Sequence, residues 1–371
     1  MKQCYKRINF FSMGNTLVVL LLILTACETS NPQSSNQQAT DEEQNDPALQ
    51  YVEEANFLEP LPEKLVVDAQ SQTKQTIGET KNNIQLPPIK PLEVKGDIAI
   101  TGSSSLKELN ELMYQRFVQQ GYGDTITFNS LGSDADIEIF CQGDKIDILT
   151  ITRPLQTSEL ETCQGNGREI VEFPIGKDAL VVVVNRLDTF AKNITLPQLK
   201  TLLSGQKWSE VNPKWSAKPI KRFLIGPQSP QINLIVEKVF AGNSQVILNS
   251  MNTNFYQFPS PLIQDLSTTR YGIGLLDYPA YQSSPRSLRI LLVEGVAANI
   301  QTLQNGTYPL SRTLFIYTDK KVLKEKPQVN AFINFYLTHI DKEIEKASYF
   351  PLSQQELDAS KSNWLKIMEL K

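Results

Sequence analysis

Residues 97–109, DIAITGSSSLKEL, hold the pattern that decides the fold. Asp97–Thr101 reads as a short buried strand and Gly102-Ser103-Ser104-Ser105 as a turn. Leu106, Leu109, Met113 and Phe117 then recur three and four residues apart, the spacing of one helix face. Ser105 and Glu108 have the spacing of a capping box at the start of that helix. The order repeats. Thr125–Phe128 (TITF) precedes Gly132-Ser133 and a helix ending near Cys141, with Asp134 and Asp136 in its first turn. Asp147–Ile151 (DILTI) precedes Thr152-Arg153 and a helical segment from Pro154. Strand, turn and helix in repetition predicts an α/β fold with parallel strands and right-handed crossovers. Further on, Ala179–Val184, Leu288–Val293 and Leu314–Tyr317 read as buried strands. A helix carries Phe332, Ile333, Tyr336 and Leu337 inward, and Ser353 with Glu356 caps a last helix presenting Leu357, Trp364, Leu365 and Met368.

The N-terminal side is different in texture. Lys2, Lys6 and Arg7 precede an apolar run, Leu17–Leu24. Such a run is too short to span a bilayer, which takes about 20 residues, and reads as the core of a signal peptide over 1–26. Leu24-Thr25-Ala26-Cys27 resembles a bacterial lipobox, which implies lipidation of the Cys27 thiol and cleavage before it. Glu28–Gln50 has no aromatic residue and one aliphatic, Leu49, too little apolar surface to offset chain entropy. Residues 27–95 are therefore expected to be a flexible tether, its second half extended chain with room for one short helix.

Charge and composition exclude several classes. The 371 residues carry 36 basic and 40 acidic side chains, net −4. Losing the leader with its three cations leaves 33 against 40, net −7. No basic excess exists to neutralise a nucleic-acid backbone, and membrane attachment would run through acyl chains. The single histidine, His339, argues against His-based zinc sites and Ser-His-Asp catalysis, and no phosphate loop with a lysine appears. Neither an enzyme, a metal nor a cofactor is expected. Beyond Cys4 and Cys27 there remain Cys141 and Cys163. They are either a disulfide, which an oxidising compartment favours, or two buried free thiols.

Three turns share a chemistry. Ser103-Ser104-Ser105, Gly132-Ser133 and Thr150–Arg153 each place hydroxyls or backbone amides after a strand and at a helix start. Helix N-termini attract anions, and in an open α/β sheet such turns meet at the carboxyl edge of the strands. Arg153 adds a permanent planar donor. The same serines would also serve as ordinary N-caps, and Arg153 as one half of a surface ion pair.

Five stretches then carry a family resemblance: IAITGSSSLKEL, LGSDADIEIFCQGDKIDILTITRPL, EFPIGKDALVVVVN, YGIGLLDYPAY and NGTYPLSRTLFIYT. In this order they resemble the phosphate-binding receptor of bacterial ABC phosphate importers, over residues 96–352. The Cys141–Cys163 spacing is similar to one lipoprotein branch of that family. The resemblance implies a type II periplasmic binding protein, two α/β lobes joined by two crossover strands, the second lobe spanning about 184–286 and a C-terminal helix occupying 353–371. The expected hinges lie near Val184 and Leu288. Carried over, Ser104, Ser105 and the N–H of Leu106 match the first phosphate loop, Gly132 and Ser133 the second, Thr152 and Arg153 the third. Ser229 matches the fourth, where Pro230 and Gln231 replace Gly and Thr. The implied protein is a lipid-anchored, extracytoplasmic monomer that captures phosphate or a similar oxyanion for an ABC permease in the inner membrane.

The departures from the family pattern favour a second reading, a sensor or interaction scaffold that has lost tight phosphate binding. Pro230 lacks an N–H. Asp134 and Asp136 stand where the family has glycine, and like charges 4–6 Å apart repel by roughly 3–4 kcal/mol at an effective dielectric near 20.

Overall fold

The computed structural model describes residues 83–143 and 145–370. The expected signal peptide, Cys27 and the tether as far as residue 82 lie outside the described residues. Residues 83–95, also expected in the tether, instead lie on the folded domain. The Ile84 N–H donates to Asp358 Oδ1 at 3.1 Å, Asn334 Nδ2 donates to the Pro87 carbonyl at 3.1 Å, and Leu86 and Pro91 are buried. The apolar residues scattered through this polar stretch, Leu86, Ile89 and Val94, find the same hydrophobic cluster.

The chain opens with β1 (Ile98–Gly102), α1 (Lys107–Gln119), β2 (Ile126–Asn129), α2 (Ser133–Cys141), β3 (Ile148–Ile151) and α3 (Thr157–Gly165). It crosses over on β4 (Ile170–Asn185) to β5 (Asn193–Ile194), α4 (Leu196–Ser204), β6 (Lys221–Ile225), α5 (Pro230–Phe240), α6 (Gln245–Leu248) and β7 (Thr253–Tyr256). Next come α7 (Pro259–Thr268), β8 (Gly272–Asp277), α8 (Tyr278–Gln282), β9 (Leu288–Ile290), β10 (Leu292–Val293) and α9 (Ile300–Gln304). It returns on β11 (Ser311–Asp319) to α10 (Lys320–Glu325), α11 (Pro327–Glu343) and α12 (Gln354–Ile367).

The main sheet runs β2-β1-β3-β11-β4-β8-β6-β7. It has two parallel triples, β2-β1-β3 and β8-β6-β7, with the antiparallel pair β11 and β4 between them. The first part of β4 pairs with β11 from Ile170↔Asp319 to Ala179↔Ser311, and the second with β8 from Leu180↔Asp277 to Val184↔Ile273. Two hydrophobic clusters follow this division. One contains Val171, Phe173 and Ile175 of β4 with Leu314 and Ile316 of β11; the other begins at Ala179 and includes Tyr308 and Leu310. The crossing points are therefore Gly176–Ala179 and Leu310–Leu314, not the expected Val184 and Leu288, which both sit inside the second cluster. A continuous apolar run reads as a strand but does not show where it changes sheets.

Two local expectations also change. The capping box of Ser105 and Glu108 does not form, because a 3-10 turn, Ser104–Leu106, delays the start of α1 to Lys107 and no side chain caps it. Leu288–Val293 is not one strand: β9 pairs with β4 and β10 with β5. The Ser353–Glu356 box does form, with Ser353 Oγ accepting from the Glu356 N–H. Cys141 and Cys163 are joined as a disulfide between α2 and α3.

Candidate ligand cleft

Adjacent parallel strands bring their following turns together. Register pairs Thr101 with Asn129 and Gly102 with Thr150, so the ends of β1, β2 and β3 share one edge. Gly102 has a φ of +147°, and a Cβ there would fall 1.9 Å from the Thr150 carbonyl oxygen, so only glycine allows the approach. The Ser103 N–H donates to that carbonyl at 2.9 Å. Gly132, φ +107°, aims the chain into α2. Arg153 Nη2 reaches Asp134 Oδ1 at 3.5 Å, tying the second turn to the third.

The expected donors are only partly available. The Leu106 N–H, matched to the first loop, donates to the Ser103 carbonyl at 2.9 Å within the 3-10 turn and is spent there. Ser104 is exposed, while Thr152 is buried at the end of β3. Ser133 opens α2. Arg153 is forked on Glu159, at 2.8 and 2.7 Å, which neutralises it locally. Across the sheet, Ser229 caps α5: its Oγ accepts from the Ile232 N–H at 3.3 Å. Pro230 is at the first helical position, where a missing N–H costs the helix nothing.

The two acids that raised doubt do not crowd these turns alike. Asp134 points to solvent. Asp136 is turned inward, its Oδ1 accepting from Thr101 Oγ1 at 2.6 Å and the Leu131 N–H at 3.0 Å. Burial raises its carboxyl above the ordinary value, against the pull of those two donors. Its Oδ2 is buried without a hydrogen-bond partner.

A carboxylate that the sequence reading did not single out lies between the lobes. Asp277, the last residue of β8, accepts from Ser105 Oγ of the first lobe at 3.2 Å and from Gln231 Nε2 of the second at 2.5 Å. Its other oxygen accepts from Arg312 Nη2 at 2.6 Å. Arg312 also holds Asp178 Oδ2, at 3.0 and 2.7 Å. Asp178 and Arg312 sit on the two crossing strands, facing one another in register. Burial raises the Asp178 carboxyl, and the nearby Asp277 adds to this, while Arg312 pulls the other way. Tyr349 OH donates to the Ser105 carbonyl at 2.6 Å. Arg312 Nη1 and Gln231 Oε1 are buried without partners. All of these residues except Tyr349 and Gln231 lie in the five stretches quoted above. A charged residue inside an apolar strand, as in GKDALVVVV, was the signal available: an acid there needs a buried partner.

Among the expected residues whose side chains are described, Ser105 is bonded across to the second lobe, and Ser229 stands two residues before Gln231. Parallel triples on either side of two crossover strands, with polar turns gathered at their ends, define a two-lobed binding protein of type II. The chain belongs to the PBP superfamily: a family model described as the PBP superfamily domain matches residues 34–339. Among relatives, the phosphate-binding protein PstS of Staphylococcus saprophyticus is 27% identical over 277 residues, 73% of this chain and 83% of that one. Protein SphX of Synechocystis is 26% identical over 287 residues, 74% of this chain and 84% of that one. An ABC-type phosphate transport receptor from Vibrio cholerae shares the fold, with a TM-score of 0.57 and 20% identity over 68% of this chain and 99% of that one.

Proposed function

We propose that this chain is a lipid-anchored extracytoplasmic receptor that captures phosphate or a related oxyanion between its lobes and delivers it to an ABC permease, without covalent chemistry. The meeting of Ser105, Gln231 and Arg312 at the lobe boundary is the observation that carries it: hydroxyl, amide and guanidinium donors from three parts of the chain converge there. The relatives named for phosphate binding support the choice of ligand. Ser104, Ser105, Gly132, Ser133, Thr152, Arg153 and Ser229 would line the cleft, and closure would be a hinge motion at Gly176–Ala179 and Leu310–Leu314. Cys27 would anchor the chain and the polar segment after it would give it reach.

Calorimetric titration of the full chain with phosphate, sulfate and arsenate tests the reading, with micromolar or tighter phosphate binding expected. Arg153→Ala should weaken phosphate binding about tenfold or more, some 1.4 kcal/mol. Unchanged affinity removes Arg153 from the cleft and leaves it as the partner of Glu159. Silence toward all three anions favours the sensor or scaffold reading, which the carboxylate at the lobe boundary and Pro230 make specific.

A further inference from the structure

We propose that Asp277 is an internal competitor of the solute: its carboxylate latches the two lobes together, and an oxyanion binds by displacing it. The inference rests on the cleft being the solute site. Asp277 Oδ2 takes one donor from each lobe, Ser105 and Gln231, and Oδ1 takes Arg312 from the crossing strand. Those are the donor types a bound oxyanion would use, and a carboxylate satisfies them as an anion would.

Charge argues for exchange over addition. Arg312 is shared by two buried carboxylates, Asp178 and Asp277, so with both ionised the group holds one excess negative charge. A solute anion added to it meets uncompensated repulsion in a poorly screened place. A solute anion exchanged for Asp277 leaves Arg312 and Asp178 as a matched pair and meets no such excess. The unpartnered Arg312 Nη1 offers an arriving oxyanion an unspent donor before Asp277 lets go, and Gln231 Oε1 can accept only from the O–H of a protonated phosphate. Asp277 also has somewhere to go. It is the N-cap residue of α8 in extended backbone conformation, yet its side chain caps nothing there. Asp is a preferred N-cap, so rotation toward the helix start would recover a bond for the released carboxylate.

A latch of this kind lowers the apparent affinity by the fraction of molecules it holds. If it is engaged about 90% of the time, affinity falls about tenfold. The experiment combines phosphate calorimetry with solution scattering of the full chain, for the wild type, Asp277→Ala and Asp277→Asn. Asp277→Ala should bind phosphate about tenfold more tightly and show a larger radius of gyration without phosphate. Asp277→Asn keeps the shape and can bond Ser105 and a rotated Gln231 amide, so it should gain less, about threefold. Weaker or unchanged binding in both variants overturns the latch and makes Asp277 a contact to the solute or a bystander. If Asp277→Ala does not fold, the direction of the Asp277→Asn change decides in the same way. If no protein binds phosphate, the solute reading fails by itself. Scattering still decides the latch: expansion of Asp277→Ala supports it, and an unchanged radius overturns it.

Discussion

Two arginines each face two acids in this molecule, and the two groups differ mainly in burial. Arg153 is forked on Glu159 and touches Asp134, whose side chain is 83% exposed. Arg312 holds Asp178 and Asp277 with its own side chain only 5% exposed. The first group joins two turns of one lobe; the second joins both lobes at the crossing strands. Charge pairs in water are worth about 0–1 kcal/mol, whereas removing one partner of a buried pair costs roughly 3–5 kcal/mol. Residue types being similar, it is the surroundings that make one group a local brace and the other the centre of the fold.

The largest effect should come from Arg312→Met, which leaves two carboxylates buried against each other. Urea denaturation should show a loss of about 3–5 kcal/mol, and the triple variant with Asp178→Asn and Asp277→Asn should recover most of it. A loss below about 1 kcal/mol would place Arg312 with the surface pairs. The Arg153 group has a different support. Its α2 and α3 are fastened by the Cys141–Cys163 bond, which closes a 22-residue separation. Replacing both cysteines with alanine should cost about 3 kcal/mol, the chain-entropy value for a loop of that size. Thiol labelling of the unreduced, denatured chain should find Cys141 and Cys163 blocked, and labelling of both would reject the pairing.

The contrast also explains what could be read in advance. The turns of the first lobe were legible because strand, small-residue turn and helix lie consecutively, so local pattern sets their geometry. The type II fold was carried by the family resemblance of the five stretches in order, beyond what local pattern alone gives. The Arg312 group was not legible, since Asp178, Asp277 and Arg312 are brought together by long-range strand pairing and Gln231 reaches them from helix α5. Periodicity assigned Ala179–Val184 to a strand but could not show that β4 begins at Ile170 and serves two sheets' worth of partners. The orientation of Asp134 and Asp136 was equally invisible: two residues apart near a helix start, one meets solvent and the other the end of β1.

That last pair of surroundings yields the smallest and most specific prediction, a pair of opposite pH slopes within neighbouring helices. Burial works against ionisation of Glu159, but Arg153 and the Gln156 N–H outweigh it and hold its carboxyl below the ordinary range. The stability it contributes is present above the unfolded value of 4.5 and is lost as pH falls through the lower native value. Asp136 behaves in reverse. Its native carboxyl titrates above the unfolded value of 3.8, so ionisation weakens the fold progressively as pH rises through that window. Asp136→Asn keeps an oxygen for Thr101 and Leu131 and removes the charge. Its melting temperature relative to wild type should therefore climb between pH 4 and 7, by an amount equivalent to about 1 kcal/mol or less. Glu159→Gln should show a deficit at pH 7 that shrinks below pH 4. A difference for Asp136→Asn that stays flat with pH would mean that the native carboxyl titrates where the unfolded one does, so that burial is fully offset by its hydrogen bonds.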